Sequence, residues 1–189
     1  YGTPLARALA NGHADCVEFL IQAGAKLDIR DKWGCTGLEM SINSGNLRCL
    51  QILLNAGVDV NTRGKYGKTA LHKAVLSQNV EMIQLLLNHR ADTAIIDYRY
   101  GNTGFSPIAA AIHADLDGMV ETLIDLGVDV NRKDERGTTA LHWAVNSNKP
   151  HIVFLLLKKG GNPDIQEEDA GETPIDWAHK YKKVEMLTM

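Results

Sequence analysis

The sequence predicts an all-α repeat solenoid of about five and a half stacked helix-turn-helix units, and three observations predict it. The phrase "TALHKA" at 69–74 returns as "TALHWA" at 139–144, with weaker echoes "TPLARA" at 3–8, "TGLEMS" at 36–41, "SPIAAA" at 106–111 and "TPIDWA" at 173–178. Their first residues are spaced 33, 33, 37, 33 and 34 apart, and a fixed period of this length is the mark of a repeat array. Most copies also carry a second, denser apolar segment that ends at a glycine: Gly24, Gly57, Gly127 and Gly160.

Each element follows from local chemistry. Thr69 and its counterparts Thr3, Thr36, Ser106, Thr139 and Thr173 carry the hydroxyl that caps a helix N-terminus. Pro4, Pro107 and Pro174 stand where a first-turn proline is tolerated. Leu71, Ala74 and Val75 then supply an i, i+3, i+4 apolar face. A short turn follows, with Gly12 and Gly45 in two copies and Gln78, Asp115 and Asn148 in others. The second helix is apolar on most sides, as at Met82, Ile83, Leu85, Leu86 and Leu87, which implies packing within its own unit and against both neighbours. Glycine after it allows the left-handed helix end; the third copy has Arg90 there instead. Extended stretches come next, "VDVNTRG" at 58–64 and "VDVNRKD" at 128–134, and lead to turns holding Gly34, Gly67, Gly104, Gly137 or Gly171. A helix pair of this kind cannot cover its own apolar face, so each copy must present nearly the same faces to its neighbours.

The period and the Thr-Pro-Leu-His-like phrase, six times in register, make the chain resemble the ankyrin-repeat family over essentially its whole length. That resemblance implies a single domain over 1–189, with units of approximately 1–30, 31–63, 64–96, 97–133, 134–166 and 167–189. It also implies β-hairpin-like fingers projecting at right angles to the helix pairs. Because the chain opens at "YGTPL" and closes at "KKVEMLTM", each within a unit, a fragment of a longer protein is expected.

Composition narrows the function. Net charge is −3, from 20 basic and 23 acidic residues, so no general basic footprint argues for nucleic acid. No apolar run approaches the roughly 18 residues of a membrane span. Three cysteines, Cys16, Cys35 and Cys49, do not make a disulfide framework and fit a reducing, intracellular setting, cytoplasmic or nuclear. Cys16 and Cys49 read as small core residues, and Cys35 falls in a turn. His72 and His142 share one register position, held by Ala6, Glu39, Ala109 and Asp176 elsewhere. In the family such a histidine is structural. The remaining histidines show no zinc-like spacing, and no nucleophile elbow, phosphate loop or HExxH motif occurs. The expectation is a chain without catalysis, cofactor or metal.

The resemblance places finger tips and the exposed sides of first helices along a concave groove. The candidate partner-binding residues there are Trp33, Tyr66, Lys68, Tyr98, Arg99, Tyr100, Arg136 and His113. Trp33, Tyr66 and Arg136 share one tip position and are hot-spot residue types; alternatively, the two aromatics lie flat over neighbouring fingers. Tyr98, Arg99 and Tyr100 fall in the enlarged fourth finger, "DYRYGNTG" at 97–104, and insertions in repeat proteins favour the binding face. The early tips are basic (Lys32, Arg63, Lys65, Lys68), and the last is acidic (Glu167, Glu168, Asp169, Glu172). A protein or peptide partner with an acidic and aromatic or aliphatic segment matches them. Trp143 and Trp177 are expected to pack between units with partial groove exposure. Asn61 and Asn131 resemble finger asparagines hydroxylated in some family members, although a turn-stabilising role suffices for both. The leading expectation is a monomeric protein-interaction module. The alternative is a spacer or assembly segment of a channel, cytoskeletal adaptor or ubiquitin-ligase substrate receptor.

Overall fold

The computed structural model describes residues 2–97 and 104–183. They fold into helices of alternating length. Seven-residue helices, each opened by the threonine or serine of the repeated phrase, precede nine-residue ones. Two compact units result.

The first unit holds α1 (Pro4–Ala10), α2 (Ala14–Gln22), α3 (Gly37–Asn43), α4 (Leu47–Asn55), α5 (Ala70–Leu76) and α6 (Val80–Asn88). Here α1, α3 and α5 pack side by side as one layer, and α2, α4 and α6 as a second. The caps of α1 and α3 follow the sequence. Thr3 Oγ1 accepts the Ala6 N–H at 3.1 Å. Thr36 and Glu39 form a reciprocal box, with the Thr36 N–H donating to Glu39 Oε2 at 2.8 Å. The nine-residue helices α4 and α6 are capped in turn by Asn46 and Asn79, each accepting a backbone N–H at 3.0 Å. Leu5, Leu9, Leu38, Leu50, Leu53, Leu71, Met82, Ile83 and Leu86 are fully buried between the layers. Burial of each such side chain is worth about 1.5–3 kcal/mol.

The second unit holds α7 (Pro107–His113), α8 (Asp117–Asp125), α9 (Ala140–Asn146), α10 (Pro150–Lys158) and α11 (Pro174–Lys180). Helix α9 lies between α7 and α11, and α8 and α10 back α7 and α9. Its core is Ile112, Leu123, Ile152 and Leu156.

Between the helices of each pair the chain turns through one left-handed residue. Gly12 and Gly45 take φ 69°, and Gln78, Asp115 and Asn148 take φ 54–57° at the same place. The geometry is thus required even where glycine is absent; Gln78 there carries a strain of about 1–2 kcal/mol, and Asp115 and Asn148, which tolerate this region, carry less.

Two expectations are corrected. The second helices are not covered on most sides: Phe19 is 70% and Phe154 61% exposed, with Val80 and Leu157 also at the surface. Helices α2 and α6 each pack on their first helix and on α4, α10 packs on α9, and their outer edges meet solvent. Cys49 is buried as expected, but Cys16 is exposed. Helix α4 lies between α2 and α6, whereas among the described residues α2 has a second-layer helix on one side only.

Candidate partner-binding surface

The fingers are tight turns closed by backbone and side chain together. In the finger of residues 31–35, Asp31 Oδ1 accepts the N–H groups of Trp33 and Cys35 at 2.9 and 2.8 Å. The Asp31 N–H donates to the Cys35 carbonyl at 3.0 Å. Asp134 builds the finger of residues 134–138 identically, accepting from Arg136 at 2.9 Å and Thr138 at 3.0 Å. Glu167 does the same for the last finger, accepting from Asp169, Ala170 and Glu172. Burial pulls the Glu167 carboxyl upward, but these three donors hold it below the usual carboxylate range. Regular strands are absent among the described residues; one antiparallel bridge, Arg30 with Thr36, marks the hairpin character.

The finger of residues 64–68 departs from this plan. Gly64 stands where Asp31 and Asp134 stand, so no finger carboxylate is available. A Cβ at Gly64 would fall on the Glu39 carboxylate, which reaches over from α3. Glu39 is buried, and burial raises its pKa against the opposing hydrogen bonds from Thr36. Tyr66 takes a left-handed backbone at the tip, φ 59°.

These turns push their tips outward. Trp33 is 59% and Tyr66 55% exposed. Each carries the ammonium of the preceding lysine over its ring: Lys32 Nζ at 4.3 Å from the Trp33 centroid, Lys65 Nζ at 4.9 Å from that of Tyr66. The two fingers are tied by Arg30, whose guanidinium donates to the Arg63 carbonyl at 2.8 Å. Trp33, Tyr66 and the half-buried Lys68 are therefore brought onto adjacent fingers of the first unit. Arg136, half-buried, and His113, exposed, belong to the second unit. Tyr98, Arg99 and Tyr100 lie outside the described residues. Below Trp33 opens a cavity of about 660 Å³, floored by Ala6, Ala10 and Met40 and rimmed by Arg7, Arg30, Asp31 and Lys32.

Sequence comparison settles the family. The profile described as "Ankyrin repeats (3 copies)" matches residues 5–97, 40–134 and 107–189. The chain belongs to the ankyrin-repeat family. Among curated relatives, human "Neurogenic locus notch homolog protein 2" is 42% identical over 66 residues, 35% of this chain and 3% of that protein. Zebrafish "Neurogenic locus notch homolog protein 1" is 40% identical over 72 residues, 38% of this chain and again 3% of the relative. The chain thus spans a small fraction of these relatives' length. Among solved structures, "EF0377 an Ankyrin Repeat Protein" superposes with a TM-score of 0.69 at 22% identity, covering 98% of this chain and 94% of that one. A chain from "Bd0816 Predatory Endopeptidase from Bdellovibrio bacteriovorus in complex with immunity protein Bd3460" gives 0.68 at 24% identity, covering 98% and 97%. At these identities the structural likeness speaks for the ankyrin fold alone.

The register histidines His72 and His142 of these ankyrin repeats are structural. The Thr69 N–H lies 3.2 Å from His72 Nδ1, and Thr139 and His142 repeat the contact at the same distance. Because His142 Nδ1 accepts, Nε2 carries the proton and donates to the Glu172 carbonyl at 3.1 Å. Burial lowers the His142 pKa, so the ring is neutral and ties its helix to the next finger. Among the described residues, no three of His, Cys, Asp and Glu are grouped to hold a metal ion, and no helix is long and apolar enough to cross a membrane. The finger asparagines also bridge successive repeats. Asn61 Oδ1 accepts the Asp92 N–H at 2.8 Å, and Asn131 both accepts from Asn162 N–H at 2.7 Å and donates to the Gly160 carbonyl at 2.9 Å.

Sequence reasoning missed one assembly in the second unit. Phe105 stacks on His113 at 4.5 Å and meets Trp143 edge-on at 4.7 Å; Trp143 in turn contacts Trp177, and Trp177 contacts Tyr181. Trp143 is buried and Trp177 half-buried, so both pack between first helices. The signal available was Phe105 itself, which occupies the place just before the helix cap that Cys35, Lys68 and Thr138 hold elsewhere.

Proposed function

We propose that this ankyrin-repeat segment is a non-catalytic interaction module that holds a protein or peptide against its finger tips and the adjoining faces of its first helices. The observation that carries the reading is the outward exposure of Trp33 and Tyr66 at one repeated tip position. The shared residues of the repeats are committed to caps and core, so the tips are where this chain differs from copy to copy. Large aromatics on such tips gain most by burial against a partner.

In this reading Trp33, Tyr66 and Lys68 make contacts from the first unit, and His113 and Arg136 from the second, with Tyr98, Arg99 and Tyr100 of the enlarged finger added to them. The basic early tips favour a partner segment with acidic and aromatic or aliphatic residues. Hydroxylation of Asn61 or Asn131 belongs to the proposal as a modification of finger bases; a gain of one oxygen on either peptide in mass spectrometry is its readout. Alanine at Trp33 and Tyr66 together, in the full-length protein, should weaken capture of a bound partner about tenfold or more while the melting temperature stays nearly unchanged. Parallel loss of capture and stability would show instead that the aromatics serve the scaffold.

A second reading, a spacer or assembly segment within a larger protein, draws on a different surface. Phe19 and Phe154 stand exposed on second helices, where another domain of the same protein could cover them. Substituting both with Ser should then disturb the parent's assembly and leave tip-mediated capture intact.

A further inference from the structure

We infer that the cavity beneath Trp33 seats one bulky apolar side chain of a partner segment whose flanking residues are Asp or Glu. This deepens the reading of the finger tips as a binding surface and rests on it. The cavity, about 660 Å³, falls within the roughly 300–1,000 Å³ of ligand pockets. Its floor is apolar, from Ala6, Ala10 and Met40, and asks for an apolar occupant. Its rim is cationic.

The charge of the rim sets the flanking chemistry. Some exposed cations elsewhere are already matched by carboxylates: Arg48 meets Asp15 and Glu18, Lys159 meets Asp125, and Lys180 meets Glu172. On the rim Arg7 and Lys32 form no such ion pair among the described residues, and neither does Lys65 on the next finger. Asp31, the one acidic group of the lining, already binds two N–H donors through Oδ1. Lys32 and Lys65 instead lie over Trp33 and Tyr66, each presenting an aromatic face and a positive charge together. A carboxylate beside either ammonium would neutralise it without displacing an existing partner. Single-stranded nucleic acid would meet the same cations and stack its bases on Trp33, but the chain's net charge of −3 gives it no wider basic track for a phosphate backbone.

The test is selection of peptides from a random library on the full-length protein. It is followed by fluorescence anisotropy with a labelled Glu-rich peptide around a central Phe. Enrichment of acidic peptides with one large apolar residue is expected, with affinity falling steeply as salt rises. Lys32→Glu and Trp33→Ala should each weaken the Glu/Phe peptide about tenfold, with unchanged melting. Lys158→Glu, on the second helix of a different unit, should have no effect. Replacing the central Phe by Ala, or the Glu residues by Lys, should abolish binding. The inference is overturned if the Lys-rich peptide binds equally, if Lys32→Glu and Trp33→Ala are silent, or if nucleic acid binds and no acidic peptide does. Selection of peptides of another chemistry, lost on Tyr66→Ala or Arg136→Ala, would sink this inference and leave the interaction-module reading standing. Retention of no peptide and no protein partner would sink both.

Discussion

Arg90 bears a left-handed backbone, φ 63°, at the helix end where Gly24, Gly57, Gly127 and Gly160 take φ 83–90°. A Cβ at any of those four glycines would meet nothing within 4 Å, so the cost at Arg90 is conformational rather than steric crowding by neighbours. Arg90→Gly should therefore stabilise the protein by about 0.5–1 kcal/mol, the relief of left-handed strain less the extra freedom of an unfolded glycine. Urea denaturation measures it. His142 makes a second prediction at this scale. Its ring is buried and neutral, with a pKa below the ordinary histidine value because burial disfavours the charged form. The unfolded chain takes up a proton near pH 6.5 that the folded chain refuses. The stability contributed is complete above that pH and declines as pH falls from it toward the folded pKa. Denaturation midpoints of the native protein should thus drop across this window more steeply than those of His142→Gln.

At the scale of elements, the finger of residues 64–68 depends on a helix of the preceding copy. Fingers with Asp31, Asp134 or Glu167 supply their own carboxylate to the turn. Here Gly64 leaves that space open and the Glu39 carboxylate fills it. Gly64→Asp should destabilise by about 2–4 kcal/mol, since it overpacks the site and sets a second carboxylate against the buried Glu39. Combining it with Glu39→Ala should recover much of the loss, because the finger then has the aspartate of its sisters and the space to hold it. A double-mutant cycle in urea would show the coupling; additive losses would contradict it. The elements themselves were plain in the sequence. Thr3, Thr36 and Thr173 cap the helices that follow them. The dependence of Gly64 on Glu39 was not, since it joins residues 25 positions apart that meet only once two helix pairs are stacked.

At the scale of the whole molecule, scaffold and surface separate. Leu86 is fully buried in the first unit, and Leu86→Ala should cost about 2–5 kcal/mol through the cavity it leaves. Because neighbouring helix pairs share that core, the loss should appear as a lowered midpoint of the first unit's unfolding, followed by hydrogen exchange of α3–α6. Below that transition the tips keep their geometry, so the binding lost by alanine at Trp33 and Tyr66 should be retained in Leu86→Ala. Stability and recognition thus answer to different residues, as stacked repeats allow.

The sequence by itself determined the ankyrin register: where each helix starts, which faces are apolar, and where the backbone turns left-handed. Such features depend on neighbours three or four residues away and on the φ preference of single residues. Tertiary structure alone decided which repeated positions are exposed or covered. It left Cys16 outside and Cys49 inside, joined Phe105 to Trp143, set Glu39 against Gly64, and opened the cavity beneath Trp33. Those outcomes rest on contacts between residues up to a full period or more apart, which form only when one copy is stacked on the next.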